Sequence, residues 1–143
     1  MTAFVDTWAW LALALRRDQH HEIAKRQHAG FVAAGCKYVT TDYVLSELVT
    51  QLYRALPPDQ AEAYLTAVFS AIESGQYGLE RISAERFAAA WQLRRRYADK
   101  PTISFVDFTS FVVMRELGLA DAFTGEVHFE QVNMGFRLLP QRG

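Results

Sequence analysis

The sequence has few of the residues that build disulfide frameworks, zinc sites or membrane spans. Among 143 residues there is one cysteine, Cys36, which excludes an intramolecular disulfide and any multi-cysteine zinc site. The longest early apolar run, Trp8 to Leu15, is too short to cross a bilayer and ends at Arg16-Arg17. The first residues lack the basic segment of a signal peptide. We therefore expect a cytoplasmic protein that has no membrane partner.

Neither sign of charge is in excess. Fifteen Lys and Arg residues oppose sixteen Asp and Glu residues, and the formal net charge is −1. This balance excludes a strongly basic scaffold that binds nucleic acid by bulk charge, but it leaves room for a local basic patch. Hydrophobic residues make up 50% of the chain and charged residues 22%, which is typical of a globular protein rather than a disordered one. Residues 1–143 are too few for two ordinary domains and contain no linker, so we expect a single domain.

Short apolar segments alternate with helical patterns along the chain. Ala3-Phe4-Val5 is typical of a buried strand that runs into a helix at Trp8. Further strands are predicted at 37–40, 78–82, 119–123 and 136–139, with helices at about 18–34, 42–56, 58–74, 84–97, 105–117 and 127–132. Strands that alternate with helices favour a parallel sheet covered by helices. The predicted fold class is α/β, a small three-layer α/β/α sandwich with a central, mostly parallel sheet.

Three acidic residues follow or begin predicted elements near the sheet. Asp6 comes directly after the first strand, Glu126 follows the strand that ends near Phe123, and Asp107 begins a helix. Ligands of open α/β sheets bind beyond the carboxyl ends of the strands, so Asp6 and Glu126 have a topological reason to converge and Asp107 could join them. Two carboxylates roughly 5 Å apart repel by about 3 kcal/mol at an effective dielectric near 20. Such a cluster needs protonation, a basic partner or a cation, and oxygen ligands favour Mg²⁺ or Mn²⁺ over zinc.

The helix predicted at 42–56 carries one apolar stripe. Its members are Leu45, Leu48, Val49, Leu52 and Leu56. At about 100° per residue, Glu47 lies on the opposite face, so the local pattern favours an ordinary solvated glutamate. Asp42 is better placed as a helix cap than as a ligand.

Each acid near the sheet also has an ordinary structural interpretation. Asp6 could cap the first helix, and Asp107 could complete a capping box with Ser104. Glu126 stands in a Thr-Gly-Glu loop, where it could be a turn residue. The local pattern does not decide between these roles and a shared site.

Other catalytic motifs are missing from the sequence. His21-Glu22 would need a histidine at position 25 to make H-E-x-x-H, and Lys25 stands there. The sequence contains no glycine-rich phosphate loop and no nucleophile elbow. A receiver-like or aspartate-nucleophile phosphatase would need a second acid two residues after Asp6, where the chain has Trp8.

Four segments of the chain together resemble the PIN-domain ribonuclease toxins of the VapC type. The segments are Phe4-Val5-Asp6-Thr7, residues 41–47, residues 104–115, and residues 122–129 followed by Gly135-Phe136. None of these motifs is specific alone, since an acid after an apolar triplet is common. The resemblance rests on their occurrence in the family's order over nearly the whole chain.

The resemblance implies an Mg²⁺- or Mn²⁺-dependent endoribonuclease. Carried over position by position, the catalytic and metal-binding acids are Asp6, Glu47, Asp107 and Glu126. The implied chemistry is hydrolysis of RNA phosphodiesters by metal-activated water, which leaves a 5′-phosphate and a 3′-hydroxyl. The family also implies that Thr7 supports the first acid by hydrogen bonding and that Thr109 or Ser110 does so near Asp107.

Glu126 departs from the family pattern, in which aspartate is more frequent at this position. The extra methylene requires another rotamer to reach a metal, which places a second metal in more doubt than the first. The alternative function is therefore a non-catalytic PIN-like module that binds a protein partner or RNA.

The resemblance further implies a toxin of a type II toxin–antitoxin pair, with a small antitoxin and a homodimer as partners. An apolar groove for the antitoxin could be lined by Trp8, Trp10 and Leu11 with the helices around Leu45–Leu56, unless these residues are simply core. RNA phosphates need cations, for which the candidates are Arg94-Arg95-Arg96, Arg16-Arg17 and Lys25-Arg26, although charge runs are usually solvated surface. His128 could contact RNA, but the sequence favours an exposed loop histidine.

Overall fold

A computed structural model describes residues 1–141, so the predicted domain end at residue 143 lies outside the described residues. The described strands are β1 (Thr2–Val5), β2 (Lys37–Thr41), β3 (Tyr77–Glu80), β4 (Asp121–Phe123) and β5 (Arg137–Leu139). The described helices are α1 (Thr7–Ala14), α2 (His21–Ala33), α3 (Asp42–Ala55), α4 (Pro58–Glu73), α5 (Ala84–Arg96), α6 (Phe105–Leu117) and α7 (His128–Gln131). No helix in this part of the chain has both the length and the apolar character needed to span a membrane.

The five described strands form one sheet in the order β3-β2-β1-β4-β5, and every pairing is parallel. β1 lies at the centre, where Phe4 pairs with Val39 on one side and Ala122 on the other. The chain moves outward from β1 to β3 and then returns past β1 to β4 and β5. Right-handed crossovers in these two directions place the intervening helices on opposite faces of the sheet. The predicted α/β fold with a central parallel sheet is confirmed.

Several predicted element ends are confirmed with their capping groups. The Thr41 hydroxyl accepts from the Val44 N–H at 3.1 Å, which makes Thr41 the cap of α3. The Ser104 hydroxyl accepts from the Asp107 N–H at the start of α6, also at 3.1 Å. Gly118 ends α6 with φ 66°, a left-handed conformation that glycine adopts without a steric penalty.

β3 ends before, and β4 begins after, its predicted limit because a side chain or a helix end uses the neighbouring backbone groups. The Ile82 N–H donates to the Asp42 carboxylate at 2.9 Å, so β3 ends at Glu80. Asp42 therefore ties the end of β3 to α3 and is not the helix cap. The Leu119 N–H donates to the Met114 carbonyl in the closing turn of α6, so β4 begins only at Asp121.

The apolar residues named for a groove are largely core. Trp10 is 2% exposed, and its indole N–H donates to the Thr40 hydroxyl at 3.4 Å. Leu48 and Leu52, on the apolar face of α3, are fully buried. Trp8 and Leu11 are half-buried and pack against this core.

The side chain of Arg94 stabilises the fold and is not available to bind RNA phosphates. Its guanidinium donates to the carbonyls of Ile103, Tyr97 and Lys100 and lies 4.7 Å from the centre of the Phe108 ring. These contacts satisfy carbonyls of the α5–α6 connection and hold α5 against α6. Its neighbours Arg95 and Arg96 are exposed.

Candidate active site

Asp6 and Thr124 meet where the two central strands end. β1 and β4 pair with Val5 beside Phe123, so the next residue of each strand lies at the same edge of the sheet. The Thr124 hydroxyl donates to Asp6 Oδ2 at 2.8 Å. Asp6 is only 4% exposed and Thr124 is fully buried. Asp6 has the backbone position of a helix cap, but its side chain makes no capping bond in α1.

Glu47 reaches the same edge from α3. The Thr7 hydroxyl donates to Glu47 Oε1 at 2.8 Å, which links the start of α1 to the second turn of α3. The prediction of a solvated Glu47 is wrong, because α3 packs against the core with its leucine stripe and against α1 with another side. The Thr7 hydroxyl supports Glu47 rather than Asp6, whereas the Thr7 backbone lowers the pKa of Asp6 against the effect of burial.

Asp107 is held by a histidine at the start of α7. Asp107 lies in the first turn of α6 and is 8% exposed. Its Oδ2 atom accepts a hydrogen bond from His128 Nδ1 at 2.8 Å, and Glu126 Oε1 lies 3.5 Å from the same nitrogen. The side chain of His128 is 16% exposed, so the interpretation of this residue as an exposed loop histidine is wrong.

The hydroxyls predicted to support Asp107 have another role. Thr109 and Ser110 both donate to the Val106 carbonyl, at 2.6 and 3.2 Å. Hydroxyls inside a helix commonly bond to the preceding turn in this way. In the described structure, His128 takes the supporting place that the resemblance gave to them.

The loop that carries Glu126 is fixed from both sides. The Thr124 hydroxyl accepts from the Glu126 N–H at 3.0 Å, so Glu126 does belong to a turn while it also faces the site. Trp8 packs closely over Gly125, where an added Cβ would lie 2.5 Å from the indole ring. Glycine is therefore required at 125 for the loop to pass beneath Trp8.

Burial and mutual repulsion raise the pKa values of the three inner acids. The pKa of Asp6 rises to about 8, first because the group is buried and then because the Asp107 charge is near. Burial also raises the pKa of Glu47, and the Asp107 charge adds to it. Burial raises the pKa of Asp107 although its hydrogen bond with His128 opposes the change. Three segments distant in sequence thus bring their carboxyl groups into one electrostatic cluster.

The chemistry of this donor set suits a hard divalent cation. Its acidic members offer carboxylate oxygens only, the ligands preferred by Mg²⁺ and Mn²⁺. Within residues 1–141, no three His, Cys, Asp or Glu side chains are gathered closely enough to hold a metal ion as they stand. The hydrogen bonds from Thr7, Thr124 and His128 each hold one acid in place. A cation would therefore have to draw the carboxylates closer together than they stand.

Comparison with known proteins identifies the family. The family model described as PIN domain matches residues 3–133. The chain belongs to the PIN-domain family. It is 33% identical over 126 residues to the protein named 23S rRNA-specific endonuclease VapC20 of Mycobacterium tuberculosis, an alignment that covers 88% of this chain and 90% of that protein. The chain is thus a PIN-domain protein of the VapC type. This confirms the family resemblance that its four segments indicated.

Solved structures of VapC proteins have the same fold. The crystal structure of Mycobacterium tuberculosis VapC20, described as a sarcin–ricin loop cleaving toxin, has a TM-score of 0.80 and 33% identity, covering 96% of this chain and 97% of that one. VapBC2 from Rickettsia felis, bound to a promoter DNA fragment, has a TM-score of 0.70 at 15% identity, with 96% and 97% coverage. DNA-bound VapBC from Salmonella typhimurium has a TM-score of 0.63 at 18% identity with the same coverage. The last two show similarity of fold alone.

Two residues that hydrogen bond to the acids of the candidate site were not singled out by sequence reasoning. Thr124 was noticed only as part of a turn, and His128 was placed in an exposed loop. The signal for Thr124 was its place directly after the predicted strand at 119–123, because that strand pairs with β1 and ends beside Asp6. His128 could be found only from the tertiary contact with Asp107, which spans 21 residues.

Proposed function

We propose that this chain is a metal-dependent endoribonuclease toxin in which Asp6, Glu47 and Asp107 bind Mg²⁺ or Mn²⁺ and Glu126 takes an outer position. The observation that carries the proposal is the cluster of buried carboxyl groups at the end of the central strand, where burial and the Asp107 charge raise the pKa of Asp6 to about 8. A cation would remove this repulsion. The 33% identity to a 23S rRNA endonuclease supports RNA hydrolysis as the activity.

The hydrogen bonds of the site prepare its acids for a cation. Those from Thr124 to Asp6 and from Thr7 to Glu47 favour the ionised carboxylates and oppose the effect of burial. His128 holds Asp107 through its Oδ2 atom, and this hydrogen bond likewise opposes the effect of burial on the pKa of Asp107. When bound, such a cation polarises a phosphodiester and activates water for attack on phosphorus.

Glu126 is proposed as an outer member of the site. Its side chain is 38% exposed, and its Oε1 atom faces His128 at 3.5 Å. The Thr124–Glu126 turn and the contact between Trp8 and Gly125 keep its backbone at the rim. Its longer side chain would allow it to act on substrate or a second cation without displacing the inner acids.

The proposal includes partners, location and domain organisation. The names of the Rickettsia and Salmonella VapBC structures support an antitoxin as a protein partner, with this chain as the toxin. A homodimer, a cytoplasmic location and a single domain over residues 1–143 stay predictions. The half-buried residues Trp8 and Leu11 remain candidates for an antitoxin contact, whereas Trp10 is core.

RNA cleavage with and without divalent cations tests the proposed function. We expect the purified chain to cut a hairpin that carries the sarcin–ricin loop of 23S rRNA, or a total RNA preparation, in millimolar Mg²⁺ or Mn²⁺. Excess EDTA should stop the reaction, and the new ends should be 5′-phosphate and 3′-hydroxyl. An Asp107→Asn preparation purified in parallel controls for contaminating nucleases.

The outcomes of this experiment separate the two candidate functions. Cutting that continues in excess EDTA would contradict the metal-dependent mechanism. Binding of RNA without cutting, under all these conditions, would favour the non-catalytic PIN-like module instead.

A further inference from the structure

The outer face of α5 carries an unusual stripe of exposed aromatic and basic side chains. Phe87, Trp91 and Arg95 are spaced four residues apart, so they lie on one face of the helix over roughly 12 Å. Phe87 is 47% exposed and Trp91 is 51% exposed. Exposed large aromatic residues side by side are uncommon on a soluble surface and indicate a binding function. We call these three residues the α5 stripe.

The α5 stripe adjoins the candidate active site through α6. The ring of Phe87 lies 4.9 Å from that of Phe105, at an angle of 57°. Phe105 is the first residue of α6 and precedes Asp107 by two positions. The aromatic surface therefore extends to the helix turn that holds one of the proposed metal ligands.

The support beneath the α5 stripe is rigid. On the inner side of α5, Ala90 and Leu93 are buried in the core. Arg94 fixes the end of the helix by donating to the carbonyls of Ile103 and Lys100. The exposed rings thus stand on a packed helix rather than on a loop, which lowers the entropy cost of binding.

The charge of this surface is complementary to a phosphate backbone. Arg95 and Arg96 are exposed at the end of α5, and neither forms an ion pair within residues 1–141. Arginine side chains beside exposed aromatic rings are the combination by which proteins hold single-stranded RNA, with bases stacked on rings and phosphates on cations.

We propose that the α5 stripe is a stacking platform for unpaired bases of the RNA substrate, next to the scissile phosphate at the acid cluster. Trp91 and Phe87 stack with bases, and Arg95 contacts phosphate. This inference rests on the proposed function, because it takes RNA as the substrate. RNA is favoured over a protein partner because the stripe is continuous with the site and joins rings to unpaired arginines.

Binding of a fluorescent hairpin RNA to uncut protein tests the platform. In an Asp6→Asn background, which separates binding from cleavage, Trp91→Ala should weaken the affinity by about 5- to 100-fold. Trp91→Phe should restore it to within about threefold, because a ring is kept. Arg95→Gln should reduce the slope of log affinity against log salt by about one. Phe69→Ala, which removes a ring that is 40% exposed on α4, is the matched control and should have no effect.

Fluorescence, affinity, light scattering and cleavage together distinguish the outcomes. Quenching of tryptophan fluorescence by RNA that disappears in Trp91→Phe, with affinity retained, would support stacking on Trp91. Unchanged affinity in Trp91→Ala would overturn the platform even if the chain cuts RNA, and a simultaneous change from dimer to monomer in light scattering would assign the stripe to a second copy. Trp91-dependent RNA binding by a chain that cuts nothing would keep the platform and reject the proposed catalysis.

Discussion

Asp6→Asn and Asp107→Asn are each expected to lower the rate of RNA cleavage by at least about 100-fold while the fold is retained. The reason is that a bound cation supplies several kcal/mol of transition-state stabilisation, and about 1.4 kcal/mol corresponds to a factor of ten in rate. The amide keeps the size of each side chain and can still accept from Thr124 or His128. Single-turnover cleavage of a labelled hairpin RNA measures the effect.

The matched control is Glu62→Gln, which removes an exposed charge from α4 that has no part in the site. This variant should cut RNA at the wild-type rate, and circular dichroism should give the same spectrum for all four proteins. Retention of full cutting by both Asp6→Asn and Asp107→Asn would remove these residues from the catalytic site.

Asp6→Asn is also expected to stabilise the fold without metal, and more so as the pH rises. The pKa of Asp6 is raised from an ordinary value of 3.8 to about 8 in the folded state, so between these values the folded protein binds a proton that the unfolded chain does not. The free energy of unfolding of the wild type therefore falls as the pH rises from about 4 to 8. The variant lacks this loss, because an amide does not titrate.

Urea unfolding in EDTA at several pH values measures this difference. Each unit by which folding raises a pKa corresponds to about 1.4 kcal/mol, so a gain of at least about 1 kcal/mol is expected at pH 8, shrinking towards zero near pH 4. Glu62→Gln should have no such pH-dependent gain. A loss of more than about 1 kcal/mol in Asp6→Asn at pH 8 would instead mean that the Asp6 carboxylate stabilises the fold as a cap or a buried partner.

The fold could be predicted because its signals are local. Ser104 and Gly118 mark the two ends of α6 by backbone chemistry that depends on a few neighbouring residues. The apolar triplet before Asp6 is too short for a helix and becomes the central strand. Alternation of such segments with helices leaves little choice other than a parallel sheet.

The site could be predicted only in part, because its contacts join distant segments. The apolar periodicity of α3 predicted a solvated Glu47, because it reveals only the face that carries the leucine stripe. A second face of α3 packs against α1, where Glu47 meets Thr7. The role of Arg94 follows from carbonyls that only the folded α5–α6 connection brings together. Likewise, the bond between His128 and Asp107 exists only once α7 is laid beside α6. The family resemblance indicated the acids, but their hydrogen-bonding partners follow only from the folded structure.

The central claim is that the inner acids bind one divalent cation jointly, and titration of the metal-free protein with Mn²⁺ tests it most directly. Isothermal calorimetry near pH 8, with electron paramagnetic resonance of free Mn²⁺ as a second readout, should give saturable binding of at least one ion per chain. Asp6→Asn and Asp107→Asn should each weaken that binding by at least about tenfold, and Glu62→Gln should leave it unchanged. Absence of saturable binding in the wild type, or equal affinity in all four proteins, would contradict the account.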